Sequence, residues 1–463
     1  MPDERFEDHL TSPRGLGREL EDASHGVAGG AACGDLVRVS LVVAGEHIRA
    51  AAFEASGCGA TIAAASATVE LVEGAGLLDA ARIGAPQIAA ALGGLSPGKL
   101  HAADLASDAM HRALGAAARA TGALRPHPGR TLVALSGGVD SAVAALLSDG
   151  DVATVTLELW ADVDNDGERS CCSAAAVRGA RRLAHSLGMP HFTLDLRDEF
   201  RGGVVEPWLR EHSDGLTPNP CVRCNGHVRL DAMIDFADRV GAATLTTGHY
   251  ARRTEDGLLR LAVDPAKDQT YMLAALGRTA LGRLRFPLGD RTKDEVRTLA
   301  EQAGLAVANK PESQDLCFLA GTGREVFLAR HGGLLARPGD ILDRGGRVLG
   351  RHEGHHGYTV GQRKGIGIAG PEPLYVLATD ARTNTVTVGT RAELATSTVR
   401  VRGVRLHRDS PDAVQLRYHA RPLRCRLEGD EIHLYEPFDG AAPGQTAVFL
   451  CGDAIVGCAT IAA

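Results

Sequence analysis

Thr131-Leu132-Val133-Ala134-Leu135-Ser136-Gly137-Gly138-Val139-Asp140-Ser141-Ala142-Val143-Ala144-Ala145-Leu146-Leu147 reads as an apolar strand, a glycine-bearing turn and an apolar helix in direct succession. Glycines let the backbone come close to a ligand, and the unpaired N–H groups at a helix start face an anion. The turn lacks the lysine of a Walker loop, so it does not predict the usual grip on β and γ phosphates. Working outward, the spacing predicts strands at Thr131–Leu135, Ala153–Leu159, Phe192–Leu194 and Ala243–Thr247, with helices over Ala174–Leu187 and Arg229–Val240 between them. That alternation predicts a doubly wound parallel sheet whose ligand site lies at the carboxyl ends of its strands.

The fold expected for the whole chain is multidomain. The 463 residues suffice for about two to four domains. In residues 1–125, strands are expected over Val37–Val43 and Ile48–Phe53, and helices over Ile62–Leu77 and Ala103–Ala120, an α+β unit. A linker is expected at Thr121–Gly129. Residues 126–328 hold the α/β domain, 329–396 a small central β domain, and 397–463 a C-terminal β-barrel, because short strands there alternate with Gly, Pro and Asp. Met1 to Glu21 has no apolar signal core and no long apolar stretch exists, so a cytoplasmic protein without membrane contact is expected. Ten cysteines without a secretory signal speak against a disulfide framework. Net charge is −7, and residues 126–463 are nearly balanced, with 42 acidic against 40 basic side chains. That balance does not look like a general nucleic-acid coat, and DNA is not an expected partner. RNA contact would need local patches such as Arg178, Arg181 and Arg182, or Arg400, Arg402 and Arg405.

Ser136-Gly137-Gly138-Val139-Asp140-Ser141 resembles the PP-loop of ATP pyrophosphatases, which leave AMP on a substrate oxygen. Further segments follow in order: Thr217-Pro218-Asn219-Pro220-Cys221-Val222-Arg223-Cys224-Asn225, Thr247-Gly248-His249-Tyr250, Lys267-Asp268-Gln269-Thr270-Tyr271, Ser313-Gln314-Asp315-Leu316-Cys317-Phe318 and Gly357 to Gly365. Together they resemble the tRNA-specific 2-thiouridylases. The resemblance implies ATP-dependent thiolation of the wobble uridine of the Gln, Lys and Glu tRNAs. It implies a nucleotide site at Ala134, Leu135, Ser136, Gly137, Gly138, Val139, Asp140 and Ser141, with Leu159 and Gly248 on the adenine side. Asp140 is implied to position Mg2+ and pyrophosphate. Asn219, Pro220 and position 221 are implied to face the target base, and Lys267, Asp268, Gln269, Arg417 and Tyr418 to contact tRNA. The chemistry explains the need for ATP: C2 of uracil is a poor electrophile until AMP on its oxygen makes that oxygen a leaving group. Chemistry at a base edge also needs the base flipped out.

Cys224 and Cys317 match the two cysteines of the family, which implies that one attacks while the other carries a persulfide from a donor such as a cysteine desulfurase. Many members have Asp where this chain has Cys221. Three thiolates, two at Cys-x-x-Cys spacing, can hold three irons of a 4Fe–4S cluster and leave the fourth open for sulfide. Zinc at the same place would need a fourth ligand that the sequence does not offer nearby. The cluster and the cluster-free persulfide routes both stay open at this level. Adjacent Cys171 and Cys172, and Cys425, Cys451 and Cys458 in apolar runs, read as packing residues.

The first 125 residues resemble the iron–sulfur scaffold proteins of the IscU/NifU type through Ala32-Cys33-Gly34-Asp35, Gly57-Cys58-Gly59 and Lys99-Leu100-His101. The resemblance implies a metal site at Cys33, Asp35, Cys58 and His101, holding zinc or an iron–sulfur centre. The scaffold cysteine that should follow His101 is Ala102. Fusion to the thiolation unit implies that this domain supplies iron–sulfur or sulfur to it, as a tethered module at raised effective concentration. Rival readings remain: a PP-loop ligase that transfers nitrogen to make an amide or guanidino product, an iron–sulfur scaffold that binds tRNA without catalysis, and a thiolase acting on another nucleobase. Distant cysteines disfavour the first, and the intact loop disfavours the second.

Overall fold

A computed structural model describes residues 3–29, 34–122, 124–162, 174–311, 316–319 and 321–463. Cys33, Ala123, Cys171, Cys172 and Ser313 to Asp315 lie outside the described residues.

The N-terminal unit begins with helix α1 (Glu4–Thr11), capped by the Asp3 side chain. Strands β1 (Ser24–Gly29), β2 (Leu36–Ala44) and β3 (His47–Ser56) form an antiparallel meander. Alternation along β2 buries Val37, Val39 and Leu41 on the face that helices cover. Helix α2 (Gly59–Val72) stops earlier than the expected Leu77, because Gly74 takes a left-handed φ of 84° directly after it. Helix α3 (Leu100–Thr121) runs 22 residues to a left-handed Gly122.

The quoted stretch forms β4 (His127–Ala134), the glycine turn and α4 (Val139–Leu146). With β5 (Asp151–Glu158), β6 (His191–Asp195), β7 (Ala242–Thr246) and β8 (Leu284–Arg285) it makes a parallel sheet in the order β8-β7-β4-β5-β6. Leu132 and Ala134 point into one core and Val133 and Leu135 into another, as a central parallel strand requires. Helices α4 and α5 (Ala174–Ser186) cover the second face. On the other face, Ala109, Met110, Ala113 and Leu114 of α3 share one core with Phe192 and Leu194 of β6 and with Phe236. A helix of the N-terminal unit therefore serves as an outer layer of the α/β domain. The approach is so close that a Cβ on Gly115 would lie 2.0 Å from the Thr193 carbonyl oxygen.

Two expectations change here. The segment Thr121–Gly129 is not a spacer throughout, since His127 to Gly129 already belong to β4 and the His127 N–H donates to the Gly241 carbonyl at 2.8 Å. Arg178, Arg181 and Arg182 are not an RNA patch. Arg181, 3% exposed, and Arg178 pair with buried Asp108 of α3, and Arg182 pairs with Asp104 at 2.8 Å. Across the same seam Arg112 grips Glu158 with two bonds, at 2.9 and 2.5 Å.

A four-stranded central sheet holds Gly339–Leu342, Val348–His352, Tyr375–Asp380 and Thr385–Gly389. Six further strands, from β9 (Ala395–Leu406) to β10 (Ala454–Ile461), close into a barrel through β9–β10 pairing. Leu259–Arg260, a short strand of the α/β domain outside its parallel sheet, adds to β10 by backbone hydrogen bonds. Among the described residues no helix is long and apolar enough to cross a membrane.

Candidate active site

A cavity of about 980 Å3 opens at the carboxyl ends of β4, β5 and β7, where a doubly wound sheet places its ligand. Ala134, Leu135, Ser136, Asp140, Ser141, Leu159 and Gly248 line it. Within the loop, Gly137 takes φ 71°, Gly138 precedes the first turn of α4, and Val139 is buried. The Ser141 hydroxyl donates to the Gly138 carbonyl at 3.0 Å and accepts from the Ser136 N–H at 3.1 Å, which clamps the turn. Gly248 must be glycine: a Cβ there would sit 2.7 Å from the Ser141 backbone nitrogen.

The same cavity is lined by Cys221, Cys224 and Cys317. Helix α6 (Pro220–Cys224) puts the first two on one face of a single turn. Its cap is Asn219, whose side-chain oxygen accepts from the N–H groups of Cys221 and Val222 at 3.1 and 3.2 Å. The helix does not begin at Arg229, as the periodicity suggests. It continues from α6 through a π turn (Asn225–Arg229) into α7 (Leu230–Arg239). The inserted residue of a π turn breaks the 3.6 period and commonly marks a functional position. Cys224 is buried, while Cys221 and Cys317 are half-buried. Aromatic residues make up only 4% of the chain, yet they concentrate beside Cys317. Phe318 packs on Trp208, Phe200 and Phe327 with ring centres 5.2, 5.9 and 5.1 Å away, which anchors the Leu316–Leu319 segment.

Of the expected RNA-facing residues, Pro220, Gln269 and Tyr418 line the cavity. The Gln269 side chain accepts from the Tyr250 N–H at 3.1 Å. Asp268 holds its own loop, accepting from the Ala262 N–H at 2.6 Å and the Thr270 hydroxyl at 2.6 Å, and burial raises its carboxyl. Lys267 is half-buried. Arg417 is exposed and donates to the Gly440 carbonyl at 3.0 Å, while Tyr418 lies 5.9 Å from Tyr271. Asn219, Lys267, Asp268 and Arg417 are outside the lining of this cavity.

Several residues that the sequence did not single out converge on the loop. Lys293 Nζ lies 2.7 Å from Asp140 Oδ1, and the Tyr250 hydroxyl donates to the same oxygen at 2.9 Å. Lys310 Nζ donates to the Gly137 carbonyl at 2.8 Å. Both lysines come from far along the chain, 153 and 173 positions from their partners in the loop, a separation at which no local pattern could reveal them. Arg229 and Arg324 also line the cavity. Beside them His249 is neutral, pushed down to about 3 by burial and then by Arg229. The arrangement offers backbone donors, two hydroxyls and cationic groups to a polyphosphate, with the three thiols in the same lining.

In the N-terminal unit, ligand atoms of Asp35, Cys58 and His101 lie within 4.8 Å of one another. His101 Nδ1 faces the Gly98 carbonyl at 2.9 Å, which directs Nε2 toward Asp35, 3.9 Å away. The Thr61 hydroxyl donates to Asp35 at 2.5 Å and holds its carboxyl below the usual range. This donor set fits a metal ion. Ala102 is fully buried in the apolar cluster of Phe6, Ala60 and Ala63.

Four family models match the chain: a NifU-like N-terminal domain over residues 3–121, a tRNA methyl transferase HUP domain over 129–321, a tRNA methyl transferase PRC-barrel domain over 325–390 and an aminomethyltransferase β-barrel domain over 396–461. A bifunctional protein NifU/MnmA of Rubrobacter xylanophilus is 45% identical, across 97% of this chain and 96% of its own length. The tRNA-specific 2-thiouridylases MnmA of Salinispora tropica and Roseiflexus castenholzii are 43% and 41% identical, each over 72% of this chain and 99% of their own.

Proposed function

The chain belongs to the MnmA family of tRNA 2-thiouridylases, in the form that carries a NifU-like N-terminal domain, and from that premise we propose how it works. It adenylates O2 of the wobble uridine in the Gln, Lys and Glu tRNAs and then replaces that oxygen with sulfur. The observation that carries this reading is that the PP-loop and the three cysteines line one cavity. Nucleotide activation and sulfur delivery can then act on the same flipped base without its release.

In the first step O2 attacks the α phosphorus of ATP, a P–O bond forms and pyrophosphate leaves. The loop N–H groups with Ser136 and Ser141 bind phosphate oxygens, and Asp140 would hold Mg2+, which would offset the charge of the leaving pyrophosphate. Lys293 and Lys310 add positive charge where negative charge gathers. Leu159 and Gly248 flank the adenine. Pro220 and Cys221 face the base, while Asn219 keeps the turn that carries Cys221 and Cys224 in place. In the second step sulfur adds to C2, the C2–O2 bond breaks and AMP departs with the oxygen. Lys267, Asp268, Gln269, Arg417 and Tyr418 serve the surrounding RNA.

Cys221, Cys224 and Cys317 would together hold a 4Fe–4S cluster, a reading supported by the three cysteines lining one cavity together with Phe200, Val204 and Phe318. Such a cluster, when bound, would supply an iron site for sulfide. Asp35, Cys58, His101 and Cys33 would hold zinc or an iron–sulfur centre in the N-terminal domain, which aids iron–sulfur or sulfur supply together with a desulfurase-type donor.

Release of pyrophosphate should depend on tRNA, and C224A and C317A should abolish thiolation. C221D separates the two sulfur routes. Anaerobic iron content and visible absorption should fall in C221D together with thiolation. Full thiolation by an iron-free C221D protein would overturn the cluster in favour of a persulfide on Cys317 with Cys224 as its partner.

A further inference from the structure

A second cavity, of about 400 Å3, lies between the catalytic domain and the barrel, on the far side of Pro220. Val204 and Pro220 belong to the walls of both cavities. Its volume falls in the roughly 300–1,000 Å3 range of small-molecule sites. Arg402 and Arg405 of β9 both line it. Residues three apart on a regular strand point to opposite faces. Here the pairing with β10 runs Arg402↔Thr460 and then Arg405↔Cys458, so three steps on β9 match two on β10. The extra residue is a β-bulge, and Gly403 within it takes the left-handed φ of 64° that few other residues accept. The bulge re-aims one arginine so that both reach the same space.

The remaining polar groups do not cancel that charge. Glu211, the one carboxylate among the described lining residues, lies 3.9 Å from Arg223 and also feels Arg402, while burial raises its carboxyl. A single carboxylate is thus set against Arg223, Arg402 and Arg405. The Arg223 Nε donates to the Gly203 carbonyl at 2.7 Å. His227 is held below its ordinary value by burial and by Arg405, so it is neutral. Two arginines are left in excess beside an apolar surface made by Val204, Val222 and Ala275.

We propose that this cavity binds the nucleotide adjacent to the reacting one, with its phosphate on Arg402 and Arg405. This rests on the reading that the substrate is tRNA. Flipping one base splays the strand, so a neighbouring phosphate needs a fixed anchor, and the shared Pro220 wall places one immediately beside the reaction cavity. The subsite holds the anticodon loop in register while the base sits over the PP-loop.

The test is equilibrium binding of full-length protein to labelled substrate tRNA across a salt series. R402Q/R405Q should bind about 10–100-fold more weakly near 0.1 M salt and lose about 1.4 from the log–log salt slope. R402K/R405K, which keeps charge, should retain most of the slope and guards against a folding artefact. R400Q is the control, because Arg400 sits on the same strand but pairs with Glu431 at 3.1 Å on the exposed side. An equal loss in R400Q would overturn the subsite in favour of diffuse surface charge, and wild-type affinity and slope in R402Q/R405Q would overturn it outright. If the wild-type protein shows no tRNA-dependent pyrophosphate release, the tRNA reading itself fails and this inference with it.

Discussion

Asp140 shows how one side chain depends on distant partners. Its carboxylate is shared by Tyr250 and Lys293, so removing either the ammonium or the hydroxyl changes how the group at the start of α4 is held. K293Q should lower the rate of tRNA-dependent pyrophosphate release by about 10²–10³-fold. A rate within threefold of wild type would show that Lys293 only anchors its helix. Gly248→Ala should act through shape alone. Its Cβ would collide with backbone, which cannot swing aside, so the loop must move and adenylation should fall by a comparable factor. Far-ultraviolet dichroism unchanged alongside that loss would place the defect in the loop rather than in folding. Gly248 stood inside a recognisable motif, whereas Lys293 stood in a plain helix start, capped by Thr292.

At the scale of elements, the catalytic turn is a capped five-residue helix joined through a π turn to α7. Asn219→Ala removes a cap worth about 1 kcal/mol and frees the two N–H groups nearest Cys221. The expected result is an unfolding free energy in urea lowered by roughly that amount together with slower sulfur transfer at unchanged pyrophosphate release. Equal loss of both half-reactions would assign Asn219 to binding the base instead. The strands of the α/β domain were legible because β4 and β5 are apolar on both faces and bounded by turns. The ends of elements were not. Helix α2 ended at glycines inside a continuing apolar pattern, and α6 was hidden because a π turn shifts the period by which helices are recognised.

At the scale of the whole molecule, the N-terminal unit is built into the enzyme rather than hung from it. Asp108 of α3 neutralises Arg181, which is almost fully buried, so Asp108→Ala leaves a buried charge unpaired. The cost should be about 3–5 kcal/mol by denaturant unfolding, with part recovered in Asp108→Ala/Arg181→Ala. An unchanged midpoint would restore the picture of a tethered module. Removal of residues 1–125 would strip α3 from Phe192 and Leu194, and residues 126–463 alone should be less stable and prone to associate on size-exclusion chromatography. The seam also has a pH signature. His185 donates toward the Ala81 carbonyl at 3.0 Å and is pushed down to about 4 by burial, so it is neutral in the folded state. The unfolded chain binds its proton near 6.5. Stability is therefore full above that value and declines as pH falls from 6.5 toward 4, by up to about 1.4 kcal/mol per pH unit for such a histidine. His212 and His249, each pushed down to about 3 by burial, add to the same slope. A urea midpoint that is flat between pH 7 and 5 would contradict this.

The sequence by itself determined the PP-loop, the parallel sheet, the β domains near the C-terminus, and the cysteines and histidine found in the two candidate sites. These are local facts, written in runs of neighbouring residues whose spacing dictates a turn or a strand. Only the tertiary structure decided that the three cysteines line one cavity with the loop, that Lys293 and Lys310 contact that loop, and that Arg181 faces Asp108. Each of those depends on which distant surfaces exclude water together. A charge pattern looks the same in sequence whether a buried carboxylate or solvent will lie opposite it.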